Sequence, residues 1–290
     1  MTATERRASA RTEPGGAGSA HPADVCLDQS KPNAARVYNY WLGGKDTWEI
    51  DRKAGDEIAA ALPDLRLMAK ANRDFLVRAT AALAGEFEIS QFLDIGSGLP
   101  SQELRPVHEV AQAITPASRV VYVDNDELVA AHCRALLRSS TREGYCDFVL
   151  GDIRDPKATI LDSPILRAAL DLGQPVAVML LSVLMYFDDD VARELIDTVM
   201  GALPSGSYLT ISYPTGDFDP EATAKAIEVA AEHGLRYRVA TREQVTALFD
   251  GLELVDPGVV PLLRWRPDRE TLHQVDEQRV FYYAGMARKP

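Results

Sequence analysis

From residue 86 onward, short apolar runs alternate with amphipathic stretches. The runs at 91–95, 119–123, 146–150, 176–181 and 207–212 have strand length. They lack the polar alternation of a strand with one wet face, as expected for strands covered on both sides. Helical spacing occupies 101–114 (interrupted by Pro106), 127–138, 163–170 and 188–200 between them. Helices at 220–233 and 242–249 and late strands at 252–255 and 280–286 follow. This order predicts an α/β fold: a doubly wound, mostly parallel sheet with right-handed connections. Upstream lie three helical stretches, 34–42, 49–62 and 64–84. Gly43-Gly44 ends the first and Pro63 stops the second, while Leu65, Met68, Ala71, Phe75 and Leu76 give the third its apolar stripe. Residues 1–30 are rich in Ala, Gly, Pro, Ser and charge and read as a disordered tail. The chain thus divides into a tail (1–30), a helical segment (31–85) and a sheet domain (86–290).

Composition narrows the classes. A chain of 290 residues, 46% hydrophobic, suits one α/β domain with an appendage. No apolar run is long enough to span a membrane, and the first residues lack the apolar region of a secretory signal. The three cysteines, Cys26, Cys133 and Cys146, share no metal or redox spacing. Their odd number favours reduced thiols and a cytoplasmic setting. His108, His132 and His233 show no metal spacing either, so no metal site is expected. A net charge of −12 argues against a nucleic-acid partner.

Ligands of such sheets bind beyond the carboxyl ends of the strands. The first strand ends in Asp94-Ile95-Gly96-Ser97-Gly98. Glycine permits φ > 0 and close approach of the backbone to a ligand, and the following helix presents free N–H groups. The second strand ends at Asp124-Asn125, where an acid can accept hydrogen bonds from a ribose diol. Capping of the next helix is the bland role for Asp124. Asp152-Ile153 follows the third strand; Asp152 suits an exocyclic amine, or simply an Asx-turn. Ser182-Val183-Leu184 follows the fourth, and Ile153 with Leu184 would sandwich a purine. No lysine follows the glycines at P-loop spacing.

These residues resemble class I S-adenosylmethionine-dependent methyltransferases. Within that class the chain is similar to an actinobacterial S-adenosyl methyltransferase family, formerly a domain of unknown function. The closer resemblance rests on KPNAARVYNYWLGGKD (31–46), ANRDFL (71–76), FLDIGSGLPS, VYVDND, VAVMLLSVL and GSYLTIS, and covers about residues 31–290. It implies a seven-stranded Rossmann-like sheet whose last strand, 280–286, runs antiparallel. It also implies S-adenosyl-L-methionine as cofactor. Asp94, Gly96 and Gly98 would line its methionine and ribose part, Asp124 and Asn125 its ribose and adenine, and Asp152 and Ile153 its adenine, with Ser182 alongside. Tyr38, Gly43, Gly44 and Lys45 would belong to a helical lid over residues 31–85, with Asn72 and Arg73 beneath it. Arg73 suits the donor's carboxylate. Where family members carry histidines after strands four and five, this chain has Met185-Tyr186 and Tyr213-Pro214. Tyr186 and Tyr213 are therefore the candidate catalytic groups, with sheet-edge packing as their competing role.

The expected reaction is methyl transfer to a small-molecule acceptor. The missing histidines also admit a non-catalytic module that binds S-adenosylmethionine or a related nucleoside. A nicotinamide-dependent oxidoreductase is a third reading. Against it, Ser101 stands where G-x-G-x-x-G wants a third glycine, and Asp124 lies further along than that motif's usual acid. The acceptor atom and the oligomeric state stay open.

Overall fold

In the computed structural model, which describes residues 29–100, 105–267 and 276–290, the apolar runs pair into one sheet. Strands β1 (Gln91–Ile95), β2 (Arg119–Asp124), β3 (Tyr145–Leu150), β4 (Ala177–Leu181) and β5 (Tyr208–Pro214) are parallel. Two-residue strands β6 (Glu253–Leu254) and β7 (Val260–Pro261) precede β8 (Tyr282–Arg288), which runs antiparallel to β5. The order is β3-β2-β1-β4-β5-β8-β6. That path holds the seven expected strands; β7 adds an eighth by pairing with β8 outside it. Chain order reverses between β1 and β4, which opens a crevice at their carboxyl ends.

Alternation along each strand sorts the side chains onto two faces. Phe92, Tyr122, Met179 and Tyr282 enter one apolar cluster. Leu93, Val121, Val178, Leu209, Ile211 and Tyr213 enter the other. Helices α3 (Leu65–Gly85), α4 (Val107–Ile114), α5 (Glu127–Leu136) and α8 (Pro220–Glu232) cover the first face. Helices α6 (Pro164–Ala169), α7 (Asp189–Gly201) and α9 (Arg242–Ala247) cover the second. With both faces covered, the strands are apolar on both sides.

The helical segment is not a separate body. Phe75 of α3 is fully buried and meets Trp265 edge-on at 5.3 Å, a geometry worth about 0.5–1.5 kcal/mol beyond the buried area. Helices α1 (Ala34–Trp41) and α2 (Glu49–Ala61) sit on α3 and α8, with Val37, Ala54 and Ile58 in the same cluster. Asn33 caps α1, its Oδ1 accepting from the N–H groups of Ala35 and Arg36 at 2.8 and 3.3 Å. Gly43, at φ 86°, ends it.

Some boundaries differ from expectation. The helix expected from residue 101 begins at Val107, with Pro106 at its N-cap; residues 101–104 lie outside the described residues. Apart from its last two residues, so does the tail expected over 1–30, with Cys26. Among the described residues, no helix is long and apolar enough to cross a membrane.

Candidate active site

A cavity of about 430 Å³ opens at the carboxyl ends of β1, β2 and β4, walled by α1 and α3. Its floor is the turn after β1. Gly96 (φ 73°) and Gly98 (φ 67°) both adopt the left-handed conformation. The N–H groups of Gly96 and Ser97 bond the Val123 carbonyl at 2.7 and 3.1 Å, fastening the turn to β2. A Cβ on Gly96 would lie 2.3 Å from Val183 Cγ2, so only glycine fits there. A Cβ on Gly98 would meet nothing within 4 Å. Space beside that backbone is left for a ligand.

Asp124 closes the turn from the second strand. Its Oδ2 accepts from Gly98 N–H at 2.9 Å and its Oδ1 from Asp126 N–H at 3.1 Å. The helix-capping role falls to Asp126, which accepts from Leu128 and Val129 N–H at 2.7 and 3.2 Å. Desolvation is the main force raising the Asp124 carboxyl above its usual range. Asp94, 4% exposed, is pushed up to about 7 by burial, against the pull of Arg73 and with a push from Asp124. Both acids fall on the same sheet face as Phe92 and Tyr122, by the period-two alternation of their strands.

A hydrogen-bonded chain crosses from the helices to the sheet at the cavity wall. Tyr38 donates to the Ala69 carbonyl at 3.2 Å and accepts from Asn72 Nδ2 at 3.0 Å. Asn72 Nδ2 also reaches Ser182 Oγ at 2.9 Å, and Ser182 Oγ donates to the Tyr282 hydroxyl at 3.1 Å. Ser182 itself holds φ 56°, a strained conformation for a residue with a side chain. Its N–H is tied to the Ser212 carbonyl at 3.0 Å, which fixes that geometry at the end of β4.

Of the residues singled out in the sequence, Tyr38, Arg73, Asp94, Gly96, Gly98, Asp124, Asn125, Ile153, Ser182 and Tyr186 line this cavity. Gly43, Gly44, Lys45, Asp152 and Tyr213 do not. Gly43 and Gly44 form the stop of α1. Gly44 packs so closely that a Cβ would lie 2.2 Å from Asn39 Oδ1, so it acts through Asn39, which does line the cavity. Lys45 is exposed on the turn. The Asp152 carboxylate is bound by Arg154 Nε at 2.9 and 3.0 Å, and this pairing holds its carboxyl below the usual range. Tyr213 points to the opposite sheet face, 3% exposed, its hydroxyl donating to the Leu184 carbonyl at 3.4 Å. Leu184, expected to flank a purine, is fully buried on that same face; Val183 takes the place in the cavity wall.

Asn33, Asn39 and Ser97 also line the cavity, and none was singled out from the sequence. Small polar residues at helix ends and turns usually serve local capping, so their composition carries no signal of a site.

The match of residues 20–290 to the S-adenosyl methyltransferase family model covers this whole arrangement. The chain belongs to the S-adenosyl methyltransferase family. A DUF574 family protein from Streptomyces avermitilis MA-4680 is 40% identical, with a TM-score of 0.86 over 91% of this chain and 99% of that one. A proposed methyltransferase of Thermobifida fusca YX is likewise 40% identical, with a TM-score of 0.79 over 90% and 96%. Magnesium protoporphyrin IX methyltransferase of Synechocystis PCC 6803, with bound S-adenosylhomocysteine, shares the fold at 11% identity and a TM-score of 0.52, over 88% of this chain and 93% of that one. No curated protein matches the sequence.

S-adenosylmethionine is the cofactor of this methyltransferase family, and the cavity is suited to it. Ser97 Oγ, Arg73 Nε, Asn72 Oδ1 and Asn39 Nδ2 are buried polar atoms with no partner among the described residues, all on residues of the cavity wall. Such atoms are costly unless a ligand or water meets them. With the open space beside Gly98, they fit a ligand bearing carboxylate, ammonium and hydroxyl groups. Neither the fold nor the relatives support the nicotinamide reading.

Proposed function

We propose that this methyltransferase moves a methyl group from S-adenosylmethionine to a small molecule. When bound, the cofactor supplies a methyl group on a sulfonium, already activated for displacement. The chain's own residues then have mainly to bind, align and dry the reactants. Asp124 accepts from the ribose hydroxyls, and Asn125 and Ile153 bound the adenine. Arg73 pairs with the donor's carboxylate, which suits its planar fork. Asp94 receives the ammonium group, a role that favours its ionised form. Helix α1, through Asn33, Tyr38 and Asn39, keeps water out as a lid. Asp152 has no part in this reading, because it does not line the cavity.

Tyr186 works here as a neutral hydrogen-bond donor. It keeps 40% of its surface open, yet protein surrounds it on the scale that solvates a charge, so its phenol is pushed well above its usual range. A phenol in that state cannot serve as a base near neutral pH. Tyr213 is left to packing.

The observation that carries this reading is the left-handed Gly96–Gly98 turn bonded to Asp124 beside a row of unpartnered polar atoms. Calorimetry with S-adenosylhomocysteine tests it. Asp124→Ala should weaken binding by roughly 1.5–3 kcal/mol, the usual value of hydrogen bonds to a charged group. Unchanged affinity would remove the ribose assignment.

A further inference from the structure

A second, smaller cavity of about 70 Å³ adjoins the first and shares Ala34, Tyr38 and Tyr186 with it. It lies beyond the ends of β4 and β5, between the lid helices and α8. Eighteen described residues line it and none is charged. Trp41, Met68, Met185, Tyr237, Phe281 and Tyr282 are among the large side chains of its wall. The few polar atoms have distinct states. Trp41 Nε1 is spent on the Gly55 carbonyl at 3.0 Å, and Thr215 Oγ1 accepts from Asp217 N–H at 3.1 Å. Thr223 Oγ1 is buried with no partner among the described residues. Tyr186 and Tyr237 stand side by side, ring centroids 5.6 Å apart, at the boundary between the cavities.

We propose that this second cavity receives the methyl acceptor, and that the acceptor is an uncharged, apolar small molecule carrying one hydrogen-bonding group. The proposal rests on the donor occupying the larger cavity. An acceptor held in the smaller one meets the donor across Tyr38 and Tyr186, which with Ala34 are common to both. A charged acceptor would enter an apolar space with no opposite charge in its wall, which is costly. An uncharged one loses nothing there, and Thr223 or the boundary tyrosines can meet its single polar group. The size is equally restrictive. Apolar cavities of about 150 Å³ hold benzene, and this one is about half that size. With the lid in this position a single ring therefore fits only with its reacting end extended past Tyr38 and Tyr186 into the larger cavity, and nothing bulkier than one ring fits.

Three one-ring probes of similar size separate the alternatives at neutral pH: p-cresol (uncharged), benzoate (anionic) and benzylamine (cationic). Their binding is followed by NMR titration of the full chain saturated with S-adenosylhomocysteine. The expected result is that p-cresol binds at one site, and the two charged probes bind at least about tenfold more weakly. Ala226→Phe and Ile227→Phe, which fill the cavity, should each weaken p-cresol about tenfold or more while S-adenosylhomocysteine affinity stays within about twofold. That retained affinity also shows that the variants fold. Equal or tighter binding of either charged probe overturns the proposal, as does p-cresol binding that both filled variants leave intact, or no p-cresol binding at all. Failure of the wild-type chain to bind S-adenosylhomocysteine would instead overturn the donor assignment, and the acceptor assignment with it.

Discussion

Asp94 makes a demand on pH. The folded protein keeps its proton up to about pH 7, whereas an ordinary aspartate releases it near 3.8. The folded state therefore binds more protons than the unfolded chain between these values, and Asp94 lowers stability as pH rises from about 4 to about 7. A ligand ammonium beside Asp94 favours the ionised form. Affinity for S-adenosylhomocysteine should accordingly fall below about pH 7, by up to about tenfold per unit. Calorimetry across pH 5.5–8.5, roughly one to two units either side of that midpoint, checks this. Asp94→Asn should flatten the profile and weaken binding at pH 8. Gly96 gives a second residue-scale prediction. Gly96→Ala combines a left-handed penalty of roughly 1–2 kcal/mol with a clash against Val183. Thermal denaturation should show the loss, and Val183→Ala should recover the clash portion but not the backbone portion. Both glycines and both acids were legible in the sequence, because each lies at or just past the carboxyl end of an apolar strand. Which acid caps α5 was not. That depended on two residues of chain geometry between Asp124 and Asp126.

The lid helices are held by a buried ionic knot. Arg36 is 4% exposed and Asp51 fully buried. Arg36 Nε donates to Asp51 Oδ2 at 2.8 Å, and its guanidinium lies 4.1 Å above the Trp48 ring. Asp51 also accepts from Asn33 and Trp48 N–H at 3.0 and 2.9 Å, joining the starts of α1 and α2. Removing one member of a buried pair costs about 3–5 kcal/mol, toward the lower figure here because Arg36 keeps Asp126 at 3.9 Å. Asp51→Ala should lose about that much in urea unfolding, and donor binding should weaken with it, since α1 walls the donor cavity. In sequence, Arg36 and Asp51 look like ordinary exposed helix charges, so this knot was invisible there. The face of β5 was within reach but easily misjudged. Tyr213 follows Ser212 by one residue, and a period of two sends it to the far side of the sheet. Tyr186 instead follows β4 through the 3-10 turn Leu184–Tyr186, which returns it to the cavity side. Two tyrosines at neighbouring strand ends thus part company, one placed by strand register and the other by the turn.

At the scale of the whole molecule, the alternation of apolar runs and helices carried the architecture, because a parallel sheet has to be covered on both faces. The piece that escaped, β7, is two residues long and too short to show a period. Its place is set by pairing with β8. A ligand that binds only the folded chain stabilises all of it: at about one hundred times its Kd the gain is about 2.7 kcal/mol. S-adenosylhomocysteine should raise the melting temperature accordingly, while a nicotinamide dinucleotide at the same concentration should leave it unchanged; the reverse pattern would contradict the cofactor. Tyr38 and Tyr186 then have one more consequence, as walls that belong to both cavities at once. A substitution at either tyrosine resizes both spaces at once. Whatever factor an occupant of the small cavity applies to donor affinity, the donor must apply in return. Donor and acceptor are thereby made readers of each other's presence, and the order in which they arrive alters the rates but not that shared factor.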